Sequence, residues 1–141
     1  IGRPHIARAL VDQGYVRSVE AAFTFLLGRG APAYVPRYKL PSSTAVKLIL
    51  EAGGLPVLAH PLAVTDLLPV LVEQGLVGLE VFYRGYTLGQ ISELLSLANR
   101  FKLLTTGGTD FHSEGRMDSV PMGSVYVPPD TVEKLRTRLS R

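Results

Sequence analysis

The stretch "LLTTGGTDFH", Leu103–His112, bears most directly on the fold of this chain. It runs from apolar residues through a glycine pair to an aspartate and, two residues later, a histidine. The apolar part is typical of a buried strand, and the glycines allow the backbone to turn sharply behind it. Asp110 and His112 are therefore expected at the end of a strand, where they could serve a metal ion or form an ordinary polar turn.

Similar apolar runs predict further strands, and segments with helical periodicity lie between them. The strand-like runs are "LPVLAHP" (55–61), "LVGLEVFY" (76–83) and a short fourth one, "SVYVPPD" (124–130). The helical segments are "TDLLPVLVEQG", "TLGQISELLSLANRFK" with Thr87 as its cap, and a closing "DTVEKLRTRLSR". Apolar strands that alternate with helices indicate an α/β fold with a parallel sheet covered on both faces.

The first third of the chain is predicted to be helical. "RPHIARALVDQG" should end at Gly14, and "RSVEAAFTFLLGRG" should begin at a Ser18 cap and end at Gly28. A proline-rich connector, "APAYVPRYKLPSS", precedes a third helix, "SSTAVKLILEAGG", for which Ser43 is the predicted cap.

Composition narrows the chemistry that is open to this chain. None of the 141 residues is cysteine, which excludes disulfides and zinc–thiolate sites and favours a reducing, cytoplasmic location. A metal would need His, Asp or Glu ligands. The net charge of +3 suits anionic substrates such as phosphates, although an ordinary soluble surface explains it equally well. We expect no membrane span and no signal peptide. A dinucleotide site is disfavoured, because no G-x-G-x-x-G motif follows a predicted strand.

All three histidines fall at predicted junctions between elements. His60 ends one strand, His112 follows another, and His5 opens a helix. In β/α folds the carboxyl ends of the strands carry the chemistry, so these positions favour a shared site. The alternatives are that His5 caps its helix and that His60 is a turn histidine.

Several residues of "GLEVFYRGY" could belong to the same site. Glu80 could orient a ligand imidazole, or it could be a salt-bridged core residue. Tyr83, Arg84 and Tyr86 could contact a base or a phosphate, or they could simply form a polar loop.

The motifs "GRPHIARALV", "AYVP", "AGGLPVLAHP", "GLEVFY" and "GTDFH", in this order, resemble the PHP (polymerase and histidinol phosphatase) family, in particular its nucleotide phosphoesterases. The resemblance implies the C-terminal portion of a distorted (β/α)7 TIM-like barrel. Residues 1–10 and 41–141 would form the barrel part, and residues 11–40 a helical insertion over the site. It also implies two or three divalent metal ions (Mn, Fe, Zn or Mg) and no organic cofactor.

The resemblance assigns roles to individual positions. It implies metal ligation by His5, His60, Asp110 and His112, with the last three as catalytic residues. Arg3, Arg37 and Arg84 lie near the motifs, and they are the candidates for phosphate binding unless that role is lost. Two features depart from the family pattern. The family's His-x-His, Asp, His and Glu ligands would lie upstream of Ile1, so we expect a piece of a longer protein, and Leu62–Ala63 replaces a glycine–arginine pair.

The function that follows is metal-dependent hydrolysis of phosphoesters, most readily of small nucleotides such as nucleoside monophosphates or 3',5'-bisphosphates. One alternative is an exonuclease that uses the same metals on RNA or DNA ends. Another is a PHP-like binding or regulatory module without turnover. Because part of a barrel would expose strand edges, self-association is also expected.

Overall fold

The computed structural model describes residues 2–36, 39–111 and 120–140. The chain divides into two compact units, residues 1–39 and residues 40–141. The predicted insertion, 11–40, ends close to this boundary, while the assignment of residues 1–10 to a barrel stays a prediction. Within the described ranges, no helix combines the length and the apolar character needed to cross a membrane.

The first unit consists of short helices around a small apolar core. Helix α1 spans Arg3–Asp12, and α2 spans Val19–Ala22 and continues as a π-helical segment, Phe23–Leu27. Its fully buried core side chains are those of Ala7, Ala22 and Leu27. These helices bury their apolar stripes against each other because none could do so alone.

The helix ends of this unit confirm most of the sequence prediction. The Ser18 hydroxyl accepts a hydrogen bond from the Ala21 backbone N–H at 3.1 Å, as an N-cap does. Gly14, with φ +74°, follows α1 in the left-handed conformation that glycine tolerates. The π-helical segment was not predicted. There the Gly28 N–H donates to the Phe23 carbonyl at 2.7 Å, and a Cβ at residue 28 would overlap that oxygen.

The second unit contains a three-stranded parallel sheet with the order β1-β2-β3, which confirms the predicted α/β class. Helices lie between successive strands along the chain, as expected for parallel connections. Its elements are α3 (Ser42–Glu51), β1 (Val57–Leu58), α4 (Leu68–Glu73), β2 (Gly78–Tyr83), α5 (Leu88–Arg100), β3 (Leu104–Gly108) and α6 (Thr131–Leu139).

The core of this unit lies between the sheet and its helices. Strand β2 is the central strand, and Leu79 and Val81 are fully buried. The side chains that pack around them come from α4, α5 and their connections: Leu68, Leu71, Leu76, Leu94, Ala98 and Leu103. The buried strand therefore anchors the residues that follow it at its carboxyl end.

The starts of two helices show one N-cap that was predicted correctly and one that was not. Thr87 caps α5 as predicted, because its hydroxyl accepts from the Gln90 N–H at 3.2 Å and the Gln90 side chain accepts from the Thr87 N–H at 2.9 Å. Ser43 as the cap of α3 was wrong. The Pro41 carbonyl already accepts from the Ala45 N–H at 3.0 Å, so the helix begins at Ser42 and Ser43 lies in its first turn.

The fourth predicted strand was also wrong. Residues 124–130 form turns and irregular chain before α6. Pro128 and Pro129 have no backbone N–H for a ladder, and Tyr126 is largely exposed. An alternating apolar pattern is not enough for a strand when it cannot pair with a neighbouring one.

Candidate metal site at the strand ends

The carboxyl ends of the strands bring His60 and Asp110 together. His60 follows β1 and Asp110 follows β3, and β2 lies between these two strands. The Nε2 atom of His60 lies 3.8 Å from Oδ1 of Asp110. This distance is longer than a hydrogen bond of about 2.7–3.2 Å. The two side chains would be able to hold one cation between them.

Glu80 approaches the same histidine from β2. Its Oε2 accepts a hydrogen bond from the His60 backbone N–H at 2.9 Å and lies 4.0 Å from Nδ1 of the ring. The imidazole thus has a carboxylate near each of its two nitrogens. The side chain of Glu80 is only 16% exposed, whereas that of His60 is 52% exposed. One carboxylate is therefore shielded by protein, while the imidazole is accessible from solvent.

Both residues of the pair have left-handed backbone conformations. His60 has φ +50° and Asp110 has φ +52°, values that side-chain-bearing residues seldom adopt. Such conformations persist where surrounding contacts hold them, and they cluster at functional sites. At His60 the hydrogen bond to Glu80 supplies one such contact.

Two tyrosines of β2 and its following loop complete this rim. The Tyr83 hydroxyl donates to Oδ2 of Asp110 at 3.1 Å, and its ring packs edge-on against the His60 imidazole with a centroid distance of 4.6 Å. The Tyr86 ring lies 5.0 Å from that of Tyr83. Burial raises the pKa of Tyr86 above its ordinary value, and the charges of Glu80 and Tyr83 raise it further, against a backbone hydrogen bond with Leu62.

The approach of Tyr83 depends on a β-bulge that the sequence did not reveal. Glu80 pairs with Thr106 and Phe82 pairs with Gly107, so Val81 is an extra residue in β2. Residues three apart in a regular strand point to opposite faces, but the bulge re-aims the side chains that follow it. Glu80 and Tyr83 can then both reach His60. A glycine that faces the bulge, Gly107, is the only local sign of it in the sequence.

The first unit contains the remaining described candidates. His5 lies in the first turn of α1, and its Nδ1 accepts a hydrogen bond from the Gly2 N–H at 3.0 Å. A neutral imidazole in this arrangement carries its proton on Nε2, so neither nitrogen offers a lone pair to a metal. Ligation by His5 would require this cap to open, and the role of His5 stays a prediction. The Arg3 guanidinium donates to the Leu27 carbonyl at 3.5 Å and lies 5.3 Å from the centre of the Tyr34 ring.

The other predicted residues are distributed as follows. Arg84 follows β2, with its guanidinium carbon 5.9 Å from the centre of the Tyr83 ring. His112 and Arg37 lie outside the described residues, so their roles stay predictions.

His60 and Asp110 are donors of the kind that divalent metals such as Mn, Fe and Zn accept. They form only part of a metal site by themselves. Across residues 2–36, 39–111 and 120–140, no group of three or more His, Asp or Glu side chains is placed to hold one ion. The described residues therefore fit a pair of ligands within a larger donor set.

Comparison with known proteins identifies relatives of the chain. No protein-family model matches the chain. It is 46% identical over 86 residues, 60% of its length, to a phosphoribosyl 1,2-cyclic phosphate 1,2-diphosphodiesterase from Eggerthella lenta. It is 34% identical over 82% of its length to a 3',5'-nucleoside bisphosphate phosphatase from Chromobacterium violaceum, and 34% identical over 79% to a 5'-3' exoribonuclease from Haemophilus influenzae.

Solved structures extend the similarity to nearly the whole chain. A protein from Bifidobacterium adolescentis, assigned as a metal-dependent phosphoesterase, matches 98% of it with a TM-score of 0.77 and 34% identity. The chain is a homologue of the PHP-type phosphoesterases. An amidohydrolase from Chromobacterium violaceum, solved with bound sulfate and no metal, also matches 98% of the chain, with a TM-score of 0.70 and 30% identity.

The chain spans only part of the length of these relatives. It spans 32% of the diphosphodiesterase and 43% of the bisphosphate phosphatase and of the exoribonuclease. It spans 50% and 51% of the two solved structures.

Proposed function

We propose that this chain forms part of a metal-dependent phosphoesterase that hydrolyses small nucleotides, such as nucleoside monophosphates or 3',5'-bisphosphates. The observation that carries the proposal is the convergence of His60 Nε2 and Asp110 Oδ1, 3.8 Å apart, at the carboxyl ends of β1 and β3. Relatives named as a diphosphodiesterase and a bisphosphate phosphatase support the same chemistry. The formal charge of +3 favours an anionic substrate.

The proposal includes the architecture of the whole protein. Three adjacent parallel strands linked through helices are consistent with part of a (β/α)7 barrel, in which residues 1–10 and 41–141 would belong to the barrel and 11–40 to an insertion. In the described sheet β1 and β3 each pair only with β2. Self-association through such edges is therefore part of the proposal, and sedimentation would measure it.

In this proposal His60 and Asp110 hold a divalent ion. His112 and His5 add donors to a cluster of two or three ions. Further ligands would come from segments that this chain does not include. Mn, Fe, Zn and Mg all suit a set of imidazole and carboxylate donors. His5 joins the cluster only when its hydrogen bond with the Gly2 N–H opens.

Divalent ions at such a site lower the pKa of water and neutralise charge on the phosphoryl group. The chain's own residues provide orientation. Glu80 fixes the backbone at His60 through its 2.9 Å hydrogen bond. Arg84 lies at the same rim, where a guanidinium could hold a phosphate through two hydrogen bonds, and Arg3 and Arg37 are the other candidates for that role.

The exoribonuclease relative favours a second candidate, hydrolysis at the 5' end of RNA. Cleavage of a phosphodiester requires the same metal ligands, so the two candidates differ in the length of substrate that reaches the rim. The 52% exposure of the His60 side chain leaves this edge of the second unit accessible to either.

Manganese binding tests the metal site. We expect the parent chain to bind Mn²⁺ in titration calorimetry, and the His60→Ala, Asp110→Ala double variant to lose at least about tenfold in affinity. A matched control removes the exposed pair Lys47 and Glu51 on α3, whose side chains are 74% and 58% exposed. Equal affinity in the parent and the double variant, or no binding by the parent, would contradict the proposal.

Substrate class is tested with a fixed panel of phosphorylated compounds. It contains a nucleoside 3',5'-bisphosphate, a nucleoside monophosphate, a cyclic phosphodiester and a short 5'-phosphorylated RNA. We expect the highest kcat/KM for the mononucleotides. A preference for RNA would support the exonuclease, and metal binding without turnover of any compound would indicate a binding module.

A further inference from the structure

Tyr83 is the last residue of β2 and contacts both members of the candidate metal pair. Its hydroxyl donates to Oδ2 of Asp110 at 3.1 Å. Its ring meets the His60 imidazole at 4.6 Å between centroids, with an interplanar angle of 78°. A single side chain on the central strand thus links residues that follow the two outer strands.

The contact with Asp110 favours one orientation of its carboxylate toward the histidine. Rotation of a carboxylate about its last bond is only weakly restricted, so a hydrogen bond to one oxygen selects an orientation. With Oδ2 engaged by Tyr83, Oδ1 is the oxygen that lies 3.8 Å from Nε2 of His60. The phenol therefore aligns the two atoms that would bind the same ion.

The contact with His60 restricts the imidazole plane. Edge-to-face packing is a favoured geometry for aromatic rings, because the positive edge of one ring meets the negative face of the other. The His60 side chain is 52% exposed, so solvent alone would not hold the ring in one orientation. Tyr83 and Glu80 approach it from the neighbouring strand.

We propose that Tyr83 is a positioning residue that orients Asp110 and His60 for a divalent ion. This inference rests on the proposed metal-binding function. It assigns to the phenol a role in metal affinity and not in proton transfer. The β-bulge at Val81, which re-aims the end of β2, is then part of the construction of the site.

Tyr83→Phe tests the hydroxyl, because it keeps the ring that packs on His60. We expect Mn²⁺ affinity to fall by about 10- to 100-fold, which is the usual effect of removing a group that orients a ligand. In the metal-free protein we expect the ¹³Cγ signal of Asp110 to shift, while the variant stays folded and its melting temperature falls because the hydrogen bond is lost. Tyr126→Phe is the control, since Tyr126 is 76% exposed in the same unit.

Each outcome decides between the alternatives. An unchanged Asp110 signal, or a shifted signal with parental Mn²⁺ affinity, overturns the positioning role while leaving the metal site intact. A parent chain that does not bind Mn²⁺ overturns the proposed function and this inference with it. Tyr83→Leu also removes the ring. It should therefore shift the NMR signals of the His60 imidazole, which Tyr83→Phe leaves unchanged.

Discussion

His60, at the strand-end rim of the second unit, and His5, in the first turn of α1, occupy predicted ligand positions but have opposite surroundings. The His60 ring lies between Glu80 and Asp110, which come from different strands. The Nδ1 of His5 accepts a hydrogen bond from Gly2, three residues earlier. One imidazole is surrounded by long-range contacts, and the other completes a local cap.

The difference shows what a histidine needs in order to serve as a ligand. A metal takes a lone pair, so any donor that already occupies that lone pair competes with it. At His60 the neighbouring groups are carboxylates, which are acceptors and leave the imidazole lone pair available. At His5 the neighbour is a backbone N–H, which uses it. Sequence position alone would rank the two residues equally.

Gly107→Ala should have the largest effect, because it breaks the strand that supports the rim. A Cβ at this position would overlap the Phe82 carbonyl and lie 2.5 Å from the Phe82 Cβ. We expect the free energy of unfolding of the second unit to fall by about 3 kcal/mol or more, measured by urea denaturation. Gly108→Ala is the matched control, since nothing lies within 4 Å of its added Cβ. Equal losses at the two glycines would show that the bulge does not depend on Gly107.

Glu80→Ala should have the next largest effect, because it removes the acceptor for the His60 N–H. A hydrogen bond to a charged group contributes about 1.5–3 kcal/mol to stability. We expect the free energy of unfolding, measured by thermal denaturation, to fall by a similar amount. Glu80→Gln keeps an acceptor and should lose less. The exposed Glu93 on α5 offers a control for the loss of a carboxylate. If Glu93→Ala were equally destabilising, the loss of a negative charge would explain the effect, and the hydrogen bond to the His60 N–H would not be its cause.

The sequence predicted those features that local patterns specify. Apolar runs between helical segments indicated the parallel sheet, and Thr87 and Ser18 cap their helices as expected. The placement of His60 and Asp110 at one edge followed from the rule that parallel strands share a carboxyl end. These features depend on neighbouring residues in the sequence or on the direction of the strands. Both kinds of information can be inferred from the amino-acid sequence alone.

The features that were missed depend on contacts between distant segments. The bulge at Val81 arises from the pairing of β2 with β3, and it alone explains why Tyr83 reaches His60. The predicted strand at 124–130 lacked a partner strand, which no local pattern can supply. The two roles of His5 remained open, because a histidine three residues after Gly2 fits a cap and a metal motif equally well.

His5 provides a sharper test of the difference between the two histidines. His5→Ala should lower the free energy of unfolding by about 1 kcal/mol, because the cap on the Gly2 N–H is lost. His5→Gln should restore most of it, since glutamine at this helix position can reach back to the same N–H. Both variants should reduce Mn²⁺ affinity less than His60→Ala, as the cap competes with ligation. An equal loss at both histidines would show that the cap opens at little cost and that the two sites are equivalent.

The smallest expected effect is a pH dependence at Tyr86, which reports the negative charge of the rim. Burial and the charge of Glu80 raise the pKa of this phenol in the folded chain. Its contribution to stability is therefore complete below the unfolded pKa of about 10 and is lost as pH rises through the folded pKa. Tyr86→Phe has no such group, so its melting temperature should improve relative to the parent above about pH 10. The same substitution at exposed Tyr126 is the control. If the parent and the Tyr86→Phe variant changed in parallel with pH, neither burial nor the Glu80 carboxylate would raise the pKa of this phenol.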